Sequence, residues 1–214
     1  MILMQRWKVM KSFEEKNDAV LKLFSDAIKY SAAGEVLLEA FDHVSLDGFH
    51  LEMGVFTGGT INFIAHHNPD KKIYGFDSFE GLPEDWERDD TDIFKRGVFA
   101  TDYIPEVASN VVIKEGLFHD SLPEFKKEIL KDAPIAFLHI DCDLYASTKT
   151  VFDILSDNLV SGTVIVFDEL YNYPGFDKHE IKAFTEFLDE KKMLVKFLAY
   201  NSEHEQVAVK LKGV

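Results

Sequence analysis

Apolar runs of strand length recur along this chain with helical stretches between them, and each run halts on a glycine or an acid. The runs are "FHLEMGV" (49–55), "KKIYGFDS" (71–78), "NVVIKEGL" (110–117), "IAFLHIDCDL" (135–144) and "GTVIVFDEL" (162–170). Helical patterns follow Gly58, Ser121 ("SLPEFKKEILKD") and Thr148 ("TKTVFDILSDNL"). Strands that alternate with helices predict βαβ units and a parallel sheet covered on both faces. With 214 residues, 46% of them apolar and 19 of them phenylalanine, the chain can bury one sizeable core.

The two ends depart from that rhythm. Residues 13–43 carry apolar positions at helical spacing, interrupted near "SAAGE", and read as two helices before the first strand. At the other end "HEIKAFTEFLDEKK" reads as an amphipathic helix, followed by "LVKFLAY", the short link "NSEHE" and "QVAVKL". Strands joined by so short a link must be antiparallel, because a parallel return needs a crossover of a dozen or more residues. The expected fold is α/β and Rossmann-like, mostly parallel, with a C-terminal antiparallel hairpin and helices on both faces. Its expected organisation is an N-terminal helical appendage, 1–45, and a single core, 46–214, with an insertion at about 82–109. That insertion, "PEDWERDDTDIFKRGVF" at its centre, is long enough to serve as a lid or binding loop.

Acids outnumber bases by 38 to 23, for a net charge of -15. A surface so negative repels phosphate backbones and anionic membranes, so neither nucleic acid nor membrane is an expected partner. The single cysteine, Cys142, rules out an internal disulfide framework. The opening "MILMQRWKVM" lacks the apolar core of a leader, and no later run reaches spanning length. The expectation is a soluble cytoplasmic protein.

In open α/β sheets ligands collect at the carboxyl ends of the strands. The loop "LEMGVFTGGT" sits at such an end. The dinucleotide fingerprint requires a glycine where a pyrophosphate touches the backbone, and the frame Gly54-x-Phe56-x-x-Gly59 places Phe56 there. No Gly-Lys-Ser/Thr follows, which excludes a P-loop. S-adenosylmethionine, with an ammonium and a carboxylate at one end and a ribose diol at the other, suits the loop better. Glu52 can meet the ammonium, the amides of Gly58, Gly59 and Thr60 at a helix N-terminus can meet the carboxylate, and Asp77 can accept from the ribose.

The segments "LEMGVFTGGT", "YGFDSFEGLPEDW", "KRGVF", "EGLFHDSLPEF" and "LHIDCDLYAST" resemble, in order, the motifs of class I S-adenosylmethionine-dependent methyltransferases. More narrowly they resemble the macrocin O-methyltransferase group, which acts on sugar hydroxyls of antibiotics. The resemblance runs from about Glu52 to Glu169. It implies that Gly116, Phe118, Asp120 and Ser121 line the adenine side, although Ser121 also suits an N-cap of the next helix. Glu52, Gly54, Phe56, Thr57, Gly58, Gly59, Thr60, Asp77 and Ser78 complete the expected cofactor-binding set.

Acids also end two further strands: Asp141 and Asp143 in "HIDCDLY", and Asp168 and Glu169 in "VFDELY". Three carboxylate oxygens, with waters completing an octahedron, suit magnesium. The resembled group holds a divalent ion with an acid after the fourth strand and an adjacent pair after the fifth, which correspond here to Asp141, Asp168 and Glu169. The usual Asp-Asp pair is Asp-Glu in this chain. His204, just before the last strand, matches a histidine of the group and is the expected general base, with Asp141 beside it in the catalytic set; His179 and Asp143 are rivals. His66 and His67 fall on the helix after the glycine loop and read as surface or packing residues. Strand alternation turns Cys142 away from the acids, as a packing thiol. Trp86, Tyr171 and Tyr173 flank the crevice.

The implied function is metal-assisted O-methylation of a hydroxyl on a small polar molecule such as a sugar or glycoside. Alternatives are a metal-independent methyltransferase with an O or N acceptor, a nicotinamide-dependent oxidoreductase that Phe56 disfavours, and a silent cofactor-binding domain. The N-terminal helices could pack on a second copy in a homodimer or cover their own sheet.

Overall fold

A computed structural model describes residues 10 and 12–213. The opening stretch read above for a leader lies outside these residues apart from Met10. Along the chain come α1 (Phe13–Leu21), β1 (Ile28–Tyr30), α2 (Ala33–Asp42), β2 (Phe49–Met53), α3 (Gly59–His67) and β3 (Ile73–Asp77). A small hairpin, β4 (Trp86–Glu87) and β5 (Ile93–Phe94), precedes β6 (Val111–Glu115), α4 (Phe118–Phe125) and β7 (Ile135–Ile140). The chain then forms α5 (Tyr145–Leu155), β8 (Val164–Phe167), α6 (Glu180–Lys191), β9 (Leu194–Asn201) and β10 (Val207–Lys212).

Eight strands form one sheet in the order β1-β9-β10-β8-β7-β2-β3-β6. All pairings are parallel except those of β10, which runs antiparallel to both β8 and β9. The C-terminal hairpin is thus as expected, and β10 is wedged inside the sheet rather than added at its edge. Every residue of β7 and of β8 is buried, which is why these runs read as continuously apolar instead of alternating. Val36, Leu37 and Ala40 of α2 pack with Ile61, Ile64 and Ala65 of α3 on one face. The other face takes α1, α4, α5 and α6, where Phe152 and Phe187 stack at 4.7 Å between ring centroids. Among the described residues no helix is long and apolar enough to cross a membrane.

Three local expectations are corrected. The N-terminal region is not two helices preceding the first strand, because β1 lies between α1 and α2 and pairs with β9. A strand of three residues has no periodicity of its own; its partner stands some 170 positions away, Ile28 opposite Ala199. Both N-terminal helices cover their own sheet, α1 through Val20 and α2 through Val36, Leu37 and Ala40, and Phe24, just after α1, packs on Tyr171, Phe197 and Tyr200. Ser121 is not an N-cap: α4 starts at Phe118, and the Ser121 hydroxyl donates back to Leu117 O at 3.1 Å from within the first turn. Likewise α5 begins at Tyr145, before Thr148, whose hydroxyl donates to Leu144 O at 3.0 Å.

The chain leaves β2 toward β3 and β6 on one side, and continues through β7 and β8 on the other. The carboxyl ends of β2 and β7 are therefore the switch point where a crevice opens.

Candidate active site

At that switch point the strands are tied together by a stair of backbone bonds just past their ends. Gly54 N donates to Phe76 O, Gly116 N to Asp77 O, Asp141 N to Met53 O and Asp168 N to Ile140 O, each at 2.9 Å. Each tie fixes the first residue of a loop, so the side chains of these residues are presented from defined positions. The stair bounds a cavity of about 660 Å³, lined by residues from the glycine loop at one end to Glu169 and Glu205 at the other.

The glycine loop is built around Asp77. One carboxylate oxygen accepts from Val55 N and Phe56 N, both at 2.8 Å, and the other accepts from Phe79 N at 2.8 Å. Three of the roughly four acceptor positions of a carboxylate are thereby spent on the backbone. Asp77 still lines the cavity beside Ser78, with one position left for a ligand. Gly54 has φ +95°, and a Cβ there would lie 1.7 Å from Asp141 O, so only glycine lets the loop close against β7. Phe56 adopts φ 47°, stands 43% exposed, and meets Phe99 edge-on at 5.6 Å.

Toward the other end the cavity is crowded with acids. One oxygen from each of Asp141, Asp168 and Glu169 lies within 4.8 Å of the others. Burial and the charge of Asp168 push the carboxyls of Asp141 and Glu169 well above the usual range. Asp143, with φ 62° and 8% exposure, is pushed up to about 7 by burial and then by Asp168, against a lowering pull from Arg88. Glu180, fully buried at the start of α6, accepts from Glu169 N at 3.3 Å. Glu169 Oε2 is buried with no hydrogen-bond partner among the described residues. So many adjacent carboxylates repel one another unless a cation or protons intervene. Asp141, Asp168 and Glu169 therefore fit a hard divalent ion, to which Glu169 Oε2 can donate a lone pair.

Behind the acids lies a buried pair. Glu52 and His139 face each other in register across β2 and β7, and His139 Nδ1 lies 3.0 Å from Glu52 Oε1. Burial lowers the pKa of His139, but the Glu52 bond and charge outweigh it and carry the ring up to about 9. The other nitrogen, Nε2, is 3.9 Å from Asp168 Oδ1, and Asp168 Oδ2 accepts from Gln206 Nε2 at 3.1 Å.

The 82–109 insertion forms the outer wall. Its β4–β5 hairpin stacks Trp86 on Phe94 at 5.1 Å, and Phe94 on Phe99 at 5.8 Å. Arg88 lies over Trp86 and Tyr173 at 5.0 and 4.4 Å, and donates to Glu205 Oε1 at 2.7 Å. The insertion is thereby fastened to the turn between β9 and β10.

Of the expected cofactor residues, Gly54, Phe56, Asp77, Ser78, Gly116 and Phe118 line the cavity. Glu52, Thr57, Gly58, Gly59, Thr60, Asp120 and Ser121 are not among the lining residues. Glu52 is fully buried on His139, and Asp120 is exposed beside His119. Of the metal set, Asp141 and Glu169 line the cavity and Asp168 adjoins them. His204 sits on an exposed turn and its neighbour Glu205 faces the cavity instead. His179 is buried and held by Glu87 O at 3.0 Å, whereas Asp143 lines the cavity. Cys142 is a buried thiol near Thr148 Oγ1 at 3.5 Å, although it also borders the cavity. Tyr171 and Tyr173 are buried. Sequence reasoning missed His139, Glu180, Arg88, Glu205 and Gln206. Only His139 carried a signal: it occupies the same face of its strand as Asp141, two residues on.

A mostly parallel sheet with this crevice and an inserted antiparallel last strand defines the class I methyltransferase fold. Residues 33–196 match the family model of macrocin-O-methyltransferase (TylF), and the chain belongs to that family, as its motifs suggested. A curated relative from Streptomyces olivaceus, 8-demethyl-8-(2,3-dimethoxy-alpha-L-rhamnosyl)-tetracenomycin-C 4'-O-methyltransferase, is 31% identical over 136 residues, 56% of this chain and 51% of the relative. The chain thus spans about half the length of that relative. The calicheamicin methyltransferase CalS11 superposes with a TM-score of 0.66 at 23% identity, covering 82% of this chain and 78% of its own. MycE of the mycinamycin pathway, in complex with Mg and SAH, gives 0.53 at 15% identity, over 82% of this chain and 48% of its own. These two likenesses are of fold.

Proposed function

We propose that this protein is an S-adenosylmethionine-dependent O-methyltransferase, assisted by a divalent cation, whose acceptor is a hydroxyl of a sugar or glycoside. One observation carries the reading: a single cavity joins the Asp77-organised glycine loop to Asp141, Asp143 and Glu169. Family membership supports the donor, and the relatives' activities support the acceptor class. The curated relative is named for 4'-O-methylation of a rhamnosyl tetracenomycin, and CalS11 for 3'-O-methylation of TDP-rhamnose.

Gly54, Phe56, Ser78, Gly116 and Phe118 would hold the donor, with Asp77 spending its remaining acceptor position on it; Asp141, Asp168 and Glu169 would hold the ion. When bound, the donor supplies an electrophilic methyl group and the ion a Lewis acid that acidifies the acceptor hydroxyl. Asp143 is the base in this reading. Its carboxyl lines the cavity, and a cation beside it would favour its ionised form, so it can take the hydroxyl proton as the oxygen attacks. Trp86, Phe94 and Phe99 exclude water and give the apolar face of a sugar ring a surface to stack on. The net change moves a methyl group from sulfur to oxygen and a proton from the hydroxyl to Asp143.

Calorimetry with S-adenosylhomocysteine and with NAD tests the donor: heat with the first and none with the second is expected. Heat with NAD alone would sink the proposal. A screen of sugars and glycosides for S-adenosylhomocysteine release, run with and without chelator, then tests acceptor and ion together. Turnover insensitive to chelator would favour a metal-independent enzyme on the same scaffold.

A further inference from the structure

We propose that Glu52 and His139 form a buried brace that positions the carboxylates of Asp141 and Asp168 for the cation. The inference rests on the metal-assisted part of the proposed function. Neither residue lines the cavity, so neither touches donor or acceptor, and their effect must pass through other side chains.

Three geometric facts point to that role. Glu52 and His139 are direct partners in the β2–β7 register and both are fully buried, so the Glu52 carboxylate fixes the orientation of the imidazole through Nδ1. With Nδ1 so held, Nε2 is aimed at Asp168 Oδ1, 3.9 Å away, while Gln206 holds the other oxygen of Asp168. Third, one ligand atom each from Glu52, His139 and Asp141 falls within 4.8 Å, so the pair adjoins the first acid as well. Glu52 Oε2 and His139 Nε2 are both buried with no hydrogen-bond partner among the described residues. The second imidazole nitrogen thus faces Asp168, one of the three carboxylates proposed to hold the cation, at ion-pair distance but too far for a hydrogen bond.

Residues behind a metal site that orient its ligands change metal affinity about 10–100-fold when removed. Their removal does not disturb a neighbouring organic ligand with which they make no contact. The brace therefore separates from a donor-binding role for Glu52, which would show in donor affinity.

The test uses the full chain with His139→Gln, Glu52→Gln and the double variant E52Q/H139Q. Mn²⁺ binding is followed by the electron paramagnetic resonance signal of the free ion, and S-adenosylhomocysteine binding by calorimetry in chelator. Removing one member strands a buried partner and can unfold the chain, whereas the double variant leaves two neutral amides, so its Mn²⁺ affinity decides. Expected is a loss of about 10–100-fold in Mn²⁺ affinity with unchanged S-adenosylhomocysteine affinity. Wild-type Mn²⁺ affinity in a folded double variant overturns the brace, and so does weakened S-adenosylhomocysteine with intact Mn²⁺ binding. A wild-type chain that binds S-adenosylhomocysteine but no Mn²⁺ overturns the brace and the metal reading together, and leaves the donor reading standing.

Discussion

The two ends of the cavity are held by different kinds of contact. Around the glycine loop the links are backbone to backbone, or backbone to Asp77, and Val55, Phe56 and Phe79 are all within about one turn of a strand end. At the acid end Asp141 and Asp168 are likewise tied through their backbone, but further links run between side chains far apart in the chain: Glu52 with His139, Arg88 with Glu205, Gln206 with Asp168. The first end is a shape that a peptide loop imposes with a few glycines and one acid. The second is a balance of charge that holds only when several strands, the insertion and the C-terminal hairpin are all in place. The donor end is therefore expected to tolerate changes of charge and fail on changes of shape, and the acid end the reverse.

The sharpest test of that difference is Asp143→Asn, which keeps shape and removes charge. It is expected to lower kcat by about 10²–10⁴-fold while S-adenosylhomocysteine affinity holds, as read by single-turnover kinetics and calorimetry. A variant with near wild-type kcat would return the base to another residue, His204 included.

Gly54→Ala attacks the comparison itself, because the new methyl group would collide with the carbonyl of Asp141. Strain of about 1–3 kcal/mol is expected from the φ alone. At roughly 2–4 °C per kcal/mol, thermal unfolding should show it. Unlike Asp143→Asn, this variant should weaken S-adenosylhomocysteine and Mn²⁺ binding together.

A pH series separates the ends without mutation. Asp143 at about 7 and His139 at about 9 both sit above their unfolded values, so the folded chain holds more protons than the unfolded one over these intervals. Stability from these groups is complete below the unfolded values and is lost as pH rises, through about 7 for Asp143 and about 9 for His139. The metal-free chain should thus unfold at lower temperature as pH goes from 6 to 9. The rise in Tm given by Mn²⁺ should grow over the same range, since ligands bind deprotonated. A Tm of the metal-free chain that climbs with pH would contradict the protonation of both groups.

Arg88→Ala is expected to have the smallest effect on ligand binding, although it lowers stability. The Arg88–Glu205 pair is mostly buried and Arg88 lies on the buried rings of Trp86 and Tyr173, contacts worth about 2 kcal/mol when desolvated. KM for the acceptor should rise several-fold with donor affinity unchanged; a fall in donor affinity would place the insertion over the donor instead.

The same contrast explains what could be read from the sequence. The parallel core, the C-terminal hairpin and the glycine loop were legible because each is written in a contiguous stretch: an apolar run, a short link, a "GVFTGG" segment. Asp141, Asp168 and Glu169 were legible because strand ends are. The β1 strand was not, since three residues take their conformation from β9 across the fold. Which side chain of the turn between β9 and β10 faces the cavity was not legible, because a turn offers no alternation to decide between His204 and its neighbour Glu205, the one that lines it. The pairing of Glu52 with His139 was not legible either, because it depends on the register of β2 against β7.

Because Gly54 has no side chain, the glycine loop rests directly on the carbonyl of Asp141. The two ends, so unlike in how they are held, thus share one hard mechanical stop. A shift of either partner is therefore felt by the other, so the glycine loop and the acids that follow β7 behave as a single joined part.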